Sequence, residues 1–559
     1  MRPNWRFTVI LSFLVIVFAG IAYRLVQLGI FERGFLLKQG DARILRNVKM
    51  PANRGMIVDR HNRPLAISTP VVSFWFDPRT FKPTEAQIKV LAQALSLSST
   101  SIHRLIKKAK GRSFFYLKRR MPPTVVPIVQ AMKLEGLSFV QEYQRYYPQG
   151  EVAAHVLGFT NIDDKGQEGL ELAYDKWLGG VVGLKSVIRD RLGGVVETVA
   201  IKKKPQPGKK LRLTIDERIQ YIAYTELNQT VQKYHAKAGS IVILDAKNGD
   251  ILAMVNEPTY NPNNRRDVPV ANFRNRAVTD LFEPGSTAKP FTVVQALLSG
   301  KYKPQTEINT HPGLMRIGGF TIRDDLDYGV VDLTGLLKKS SNIAAAKIML
   351  SLDARSFWYL LQAIGLGQRT DSGFPGEADG IVTERDRWYA SEVATLAYGY
   401  GLSVTALQLA HAYAVLAAHG LAYPVSFVKR NAKPVATRVI PQKTSDTVLH
   451  MLESVIEEGG TGTRASIPGY RVAGKTGTAY VASSGGYDKK RYASSFVGIA
   501  PVSDPRLVIA IVIHEPQEKH FGAIVAAPVF KSVMEQSLHL LNVAPDRLEK
   551  EAVLSKMDQ

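Results

Sequence analysis

The feature that most restricts how this chain can fold lies at its start. Between Arg6 and Arg24 run seventeen residues, Phe7 to Tyr23, without a charge and rich in Val, Ile, Leu and Phe. As a helix they span roughly 26 Å, enough to cross a bilayer core with Arg24 snorkelling to the interface. Apolar residues continue through Leu25, Val26 and Leu28, as expected of an uncleaved anchor. The triplet Gly20-Ile21-Ala22 also fits a signal-peptide cleavage site, so both readings stand at this point. Residues 1–30 are expected to form a short cytoplasmic tail and a single transmembrane anchor, with the functional mass C-terminal to it. Arg2 and Arg6 precede the run while Arg24, Arg33 and Lys38 follow it, so charge alone does not set the orientation.

The 559 residues are too many for one core and imply two or more further domains. Residues 1–210 hold 34 basic and 15 acidic side chains, whereas the remainder holds 38 and 34. The basic excess thus belongs to the first part. Its densest cluster is Arg104, Lys107, Lys108, Lys110, Arg112, Lys118, Arg119 and Arg120. This reads as a solvated helix face with its following turn, or as a surface for anionic lipid headgroups or an acidic partner. The aromatics there are not spaced as stacking platforms, which argues against nucleic acid. The absence of cysteine excludes disulfides, thiolate catalysis and Cys-based metal sites.

The stretch Ile201-Lys202-Lys203-Lys204-Pro205-Gln206-Pro207-Gly208-Lys209-Lys210 has the composition of a domain boundary. It divides the chain into residues 45–205, residues 206–545 and a tail, 546–559. Past it, Leu211–Thr214 reads as a strand and Asp216–Lys233 as a helix. Ser240–Asp245 and Ile251–Val255 flank Asn248-Gly249, a hairpin signal. Both runs are apolar at consecutive positions, so helices should cover both sheet faces. Leu507–Ile513 is a further strand of this kind.

Three short motifs follow in order: Ser286-Thr287-Ala288-Lys289 after Phe282-Glu283-Pro284-Gly285, then Ser340-Ser341-Asn342, then Lys475-Thr476-Gly477-Thr478. Pro284-Gly285 breaks the chain before an apolar-periodic helix, which puts Ser286 at the end where amide N–H groups are free. Lys289, three residues on, shares its face. A buried lysine near a second cation has a lowered pKa and can act as a base, and Lys475 is the expected second cation. Ser340 is placed to relay a proton and Asn342 to hold a peptide amide. Gly477 would let a substrate backbone approach a strand edge, and Thr476 and Thr478 offer hydroxyls to a terminal carboxylate. Each motif alone recurs by chance; the three in order carry the signal. Gly469–Thr476 matches the P-loop pattern by letter, but no strand precedes it and a strand, not a helix, follows. His-Glu-x-x-His and Gly-x-Ser-x-Gly are both absent, and no metal or other cofactor is expected.

With these motifs the chain resembles the class B penicillin-binding proteins, and among them the division-specific septal peptidoglycan transpeptidases. The resemblance extends to Arg54-Gly55-Met56-Ile57-Val58-Asp59-Arg60, Pro64-Leu65-Ala66, Tyr147-Pro148, Ala153-Ala154-His155 and Gly169-Leu170-Glu171 in the first part. In the second it includes Gly399-Tyr400-Gly401, Thr405-Ala406-Leu407-Gln408 and Gly459-Gly460-Thr461-Gly462. It implies a membrane-anchored α+β protein with a pedestal domain and a serine β-lactamase-like transpeptidase domain, a mainly antiparallel sheet between helices. It implies acylation of Ser286 by the D-Ala-D-Ala end of a stem peptide, with Lys289 as base and Ser340 and Lys475 managing protons. The oxyanion hole would be the backbone N–H groups of Ser286 and Thr478. It further implies β-lactams as covalent inhibitors, a membrane glycan polymerase and other division proteins as partners, and a bacterial inner-membrane location with the catalytic domain in the periplasm. An elongation-type transpeptidase or a D,D-carboxypeptidase is the alternative. A β-lactamase lacks support because no Glu-x-x-Leu-Asn lies between Asn342 and Lys475, and a penicillin-sensing receptor would carry more membrane segments.

Overall fold

The structure, a computed structural model, describes residues 5–189, 195–483 and 486–547. The expected C-terminal tail lies almost wholly outside the described residues, as do residues 1–4. A helix over Trp5–Val26 passes into a π-helical turn over Gln27–Phe31. Within this stretch an 18-residue window has a mean hydropathy of 2.4 and none of it is buried, so the stretch is long and apolar enough to cross a membrane. Arg24, one of its two arginines, donates to Gln27 Oε1 at 2.7 Å.

The rest divides into two compact units that interleave along the chain. One holds residues up to 54, 68–144 and 179–208; the other holds 55–67, 145–178 and 209 onward. The compact units therefore do not follow a single cut at 205/206 along the chain. Residues 55–67 and 145–178 join the second unit because their partners lie there: Ile57–Val58 runs parallel to Leu211–Arg212, Tyr147 N–H donates to Asn263 Oδ1 at 3.0 Å, and Tyr260 OH donates to Ala154 O at 3.0 Å.

In the first unit, Phe74 and Phe76 of the strand Pro64–Phe76 form a core with Ile88, Leu91 and Ile102. The last three lie on the helices Glu85–Ala94 and Ser99–Lys108, which begin at the capping residues Thr84 and Ser98. The basic cluster is split. Arg104, Lys107 and Lys108 are exposed on the second helix, but Lys118, Arg119 and Arg120 lie on the strand Phe115–Met121, not in a turn. Arg119 there reaches Glu142 at 2.9 Å.

The second unit is built on a five-stranded antiparallel sheet. Its strands are β1 (Ala238–Asp245), β2 (Ile251–Glu257), β3 (Ala473–Ser483), β4 (Gly486–Ala500) and β5 (Leu507–His514), in the spatial order β2-β1-β5-β4-β3. β1 and β2 are buried at every position. The turn between them forms as expected at Asn248-Gly249: Asn248 Oδ1 accepts from Asp250 N–H at 2.9 Å, and Gly249 takes φ +73°. Helices α1 (Glu217–Lys233), α2 (Lys289–Leu298), α3 (Asn342–Leu350), α4 (Ala406–Ala417) and α5 (Ala527–Leu540) surround the sheet. α5 covers one face, where Phe530 meets Phe496 of β4, and α1 lies there too, with Leu227 beside Gly239. α4 covers the other face, and Tyr413 on it stands edge-on to Phe291 of α2. Covering both faces explains why the strands read as unbroken apolar runs. β3 is left at the edge of the sheet.

Candidate active site

Each motif is delivered by a different local device. Gly285–Ala288 forms a 3-10 turn that runs into α2, so Ser286 sits in the N-terminal turn with Lys289 one turn on. The turn is pinned from within, as Thr287 Oγ1 donates to Pro284 O at 2.7 Å, and from α4, as Tyr413 OH donates to Thr287 O at 2.8 Å. Ser340 ends the helix Leu333–Lys339 in the left-handed conformation, φ 61° and ψ 39°. That reversal aims its side chain back at α2, and Ser341 then caps α3 by accepting from Ala344 N–H at 3.0 Å. Lys475 comes from β3. Side chains alternate along a strand, so Lys475 and Gly477 share the face toward the serine turn while Thr476 and Thr478 share the other, with Thr476 Oγ1 still 3.5 Å from Lys475 Nζ.

The four candidate catalytic side chains form one hydrogen-bonded chain. Lys289 Nζ is 3.0 Å from Ser286 Oγ and 3.1 Å from Ser340 Oγ. Lys475 Nζ donates to the same Ser340 Oγ at 2.9 Å. Lys289 also donates to Asn342 Oδ1 at 2.8 Å and to the Ser340 carbonyl. These last two groups are pure acceptors, since Asn342 turns its Nδ2 to Arg323 O at 2.8 Å. A neutral Lys289 amine gives one N–H to Asn342 Oδ1, shares the other between the carbonyl and the hydroxyl of Ser340, and leaves its lone pair for the Ser286 hydroxyl.

Both ammonium groups are fully buried. Burial lowers the Lys289 pKa to about 7, against the opposing pull of Asp324 and Asp325. Lys475 is pushed well below the usual lysine range, again chiefly by burial and then by Lys289. The expected cation–cation effect therefore acts on Lys475, and desolvation is the main cause for Lys289.

Gly477 has a steric reason that its place in the motif did not show. A Cβ there would stand 2.3 Å from Ser495 Oγ, 2.9 Å from Thr287 Cγ2 and 3.1 Å from Pro284 O. It would point into the serine turn and not toward an open edge, so glycine is what lets β3 lie against that turn. Thr476 Oγ1 donates to Thr461 Oγ1 at 3.1 Å. Thr478 Oγ1 accepts from Gly522 N–H at 3.1 Å, which leaves its own proton free for a ligand.

Two contributors were invisible to sequence reasoning. Asp324 accepts from Ser341 Oγ and from the Asn342 N–H, both at 2.5 Å, and so fixes the second motif from outside it. Thr461 lies within a quoted motif, but nothing in that motif showed its contact with Thr476. Among the described residues, no cluster of His, Asp or Glu is arranged to hold a metal ion.

A serine and a lysine one helical turn apart, bridged through a second serine to a lysine on the edge of an antiparallel sheet, define a serine–lysine acyltransferase of the penicillin-recognising class. The chain belongs to the penicillin-binding protein transpeptidase family. Residues 239–535 match the penicillin binding protein transpeptidase domain, and residues 49–213 match the penicillin-binding protein dimerisation domain. It is 40% identical to the peptidoglycan D,D-transpeptidase FtsI of Escherichia coli K12 over 98% of this chain and 93% of that one. It is 39% identical to the probable peptidoglycan D,D-transpeptidase PenA of Neisseria meningitidis over 98% of this chain and 94% of that one. The crystal structure of penicillin binding protein 3 from Mycobacterium tuberculosis, complexed with aztreonam, is similar with a TM-score of 0.70 at 28% identity, over 89% of this chain and 98% of that one.

Proposed function

We propose that this protein is a septal peptidoglycan D,D-transpeptidase working through a Ser286 acyl-enzyme. The observation that carries the reading is the unbroken chain Ser286–Lys289–Ser340–Lys475, with every link at 2.9–3.1 Å. Lys289 takes the Ser286 proton as Oγ attacks the carbonyl of the penultimate D-alanine. The backbone N–H groups of Ser286 and Thr478 hold the oxyanion. The proton returns through Ser340, with Lys475 completing the relay, to the departing D-alanine. The amine of a neighbouring stem peptide then displaces the ester and completes the cross-link. Asn342 orients the donor peptide, Gly477 keeps β3 close to the nucleophile, and the Thr478 hydroxyl, joined by that of Thr476 once its proton turns from Thr461, receives the terminal carboxylate. A β-lactam enters the same path and stops at the acyl stage.

The N-terminal apolar helix fits a single-pass anchor in the bacterial inner membrane, with the catalytic unit in the periplasm, where its substrate lies. A membrane glycan polymerase and other division proteins are the partners this role requires. Depletion in the host tests the septal assignment: filamentous cells with unclosed septa are expected, whereas rounded cells would assign the protein to elongation.

A further inference from the structure

Glu283 lies three residues before Ser286 and takes no part in the chemistry above. Its Oε1 accepts from the Gly401 N–H at 2.7 Å and from the Tyr487 hydroxyl at 3.0 Å. Its Oε2 is shielded from solvent and has no hydrogen-bond partner among the described residues. A buried carboxylate oxygen left unmatched is unfavourable. Burial accordingly raises the Glu283 carboxyl above its ordinary range, despite the two donors on Oε1. The reason for keeping a carboxylate there lies in what Oε1 ties together.

Gly401 belongs to a segment joined twice to the serine turn. Gly285 N–H donates to Gly399 O at 3.0 Å, and Phe282 and Val404 exchange backbone hydrogen bonds at 3.0 and 2.9 Å. Tyr487 lies on β4, opposite Ala482 of β3. Its ring stands edge-on to Tyr400, 5.3 Å between centroids, and the Tyr400 hydroxyl accepts from the Tyr480 N–H at 3.3 Å. The β3–β4 register slips between Tyr480 and Val481, so the ladder is interrupted here before it resumes at Val481–Asp488. Three segments thus meet around the outer end of β3, two residues past Thr478, and Glu283 touches both flanking segments.

We propose that Glu283 is a positioning residue for acylation: through Tyr487 and Gly401 it holds the outer end of β3 in register with the turn that carries Ser286. The inference rests on the reading of Ser286 as nucleophile and β3 as the strand the substrate lies along. Two variants of the full-length protein in detergent test it. Tyr487→Phe deletes only the hydroxyl of a half-exposed ring, and Glu283→Gln keeps the shape while weakening the acceptor. Stopped-flow acylation by a fluorescent penicillin should slow about five- to tenfold in each, with thermal midpoints unchanged. The double variant should be no slower than the slower single, because both act through one contact. Wild-type acylation in Tyr487→Phe, multiplying losses in the double variant, or losses that track a lowered thermal midpoint would each overturn the proposal. Ser286→Ala, run in parallel, separates the two readings. No labelling there while Tyr487→Phe acylates normally defeats the positioning role alone, and persistent labelling defeats both.

Discussion

Gly477→Ala is the smallest change that tests how β3 meets the nucleophile. The backbone at 477 is ordinary strand, so alanine meets no conformational penalty there and the whole effect is steric. The added methyl would start 2.3 Å from Ser495 Oγ, 2.9 Å from Thr287 Cγ2 and 3.1 Å from Pro284 O. Ser495 sits on the neighbouring strand and can rotate away. Thr287 and Pro284 cannot, because the hydrogen bonds from Thr287 to Pro284 and from Tyr413 to Thr287 lock the turn. β3 must then lift by about 1 Å, with an overpacking cost of about 1–3 kcal/mol. A misplacement of that size between nucleophile and substrate strand slows acylation by about 100-fold. Stopped-flow labelling with a fluorescent penicillin measures the rate, and urea unfolding measures the stability. Adding Ser495→Ala should recover part of the stability and little of the rate, since the two contacts with the turn remain. Acylation of Gly477→Ala within about twofold of wild type would refute the reasoning.

Other consequences follow from the same geometry. Lys289 must be neutral to accept a proton, and burial brings its pKa to about 7. Acylation should therefore fall about tenfold per pH unit below that value and level off above it, and a flat profile across about pH 5 to 8 would contradict the role. Lys289→Arg keeps a positive charge at every working pH and should lose about 100-fold or more in acylation rate. Glu171→Ala removes the buried partner of Arg145 and should lower unfolding stability by about 3–5 kcal/mol in urea titration, with acylation at room temperature unchanged.

The sequence made much of the second unit legible because its signals are local. The Asn248-Gly249 turn, the apolar runs that became β1, β2 and β5, and the capped helix from Asp216 all depend on neighbours within a few residues. The three catalytic motifs were legible as residue types, since serine, lysine and glycine at those spacings bring their chemistry with them. What stayed hidden depends on partners far along the chain. Ile57–Val58 finds its parallel partner at Leu211–Arg212, so residues 55–67 leave the unit that their position suggests. The requirement for Gly477 comes from Pro284 and Thr287, and that of Glu283 from Gly401 and Tyr487. Asp324 falls in no motif, and only the folded chain brings its carboxylate to Ser341 and Asn342. The basic run from Arg104 to Arg120 was misjudged for another reason: charge shows solvation but does not separate a helix face from an edge strand.

The most direct test locates the acyl bond. Full-length protein incubated with penicillin, digested and sequenced by mass spectrometry should carry one adduct, on the peptide containing Ser286. The Ser286→Ala variant should show a native fold and no adduct. A stable adduct on any other side chain, or on the alanine variant, would contradict the central claim.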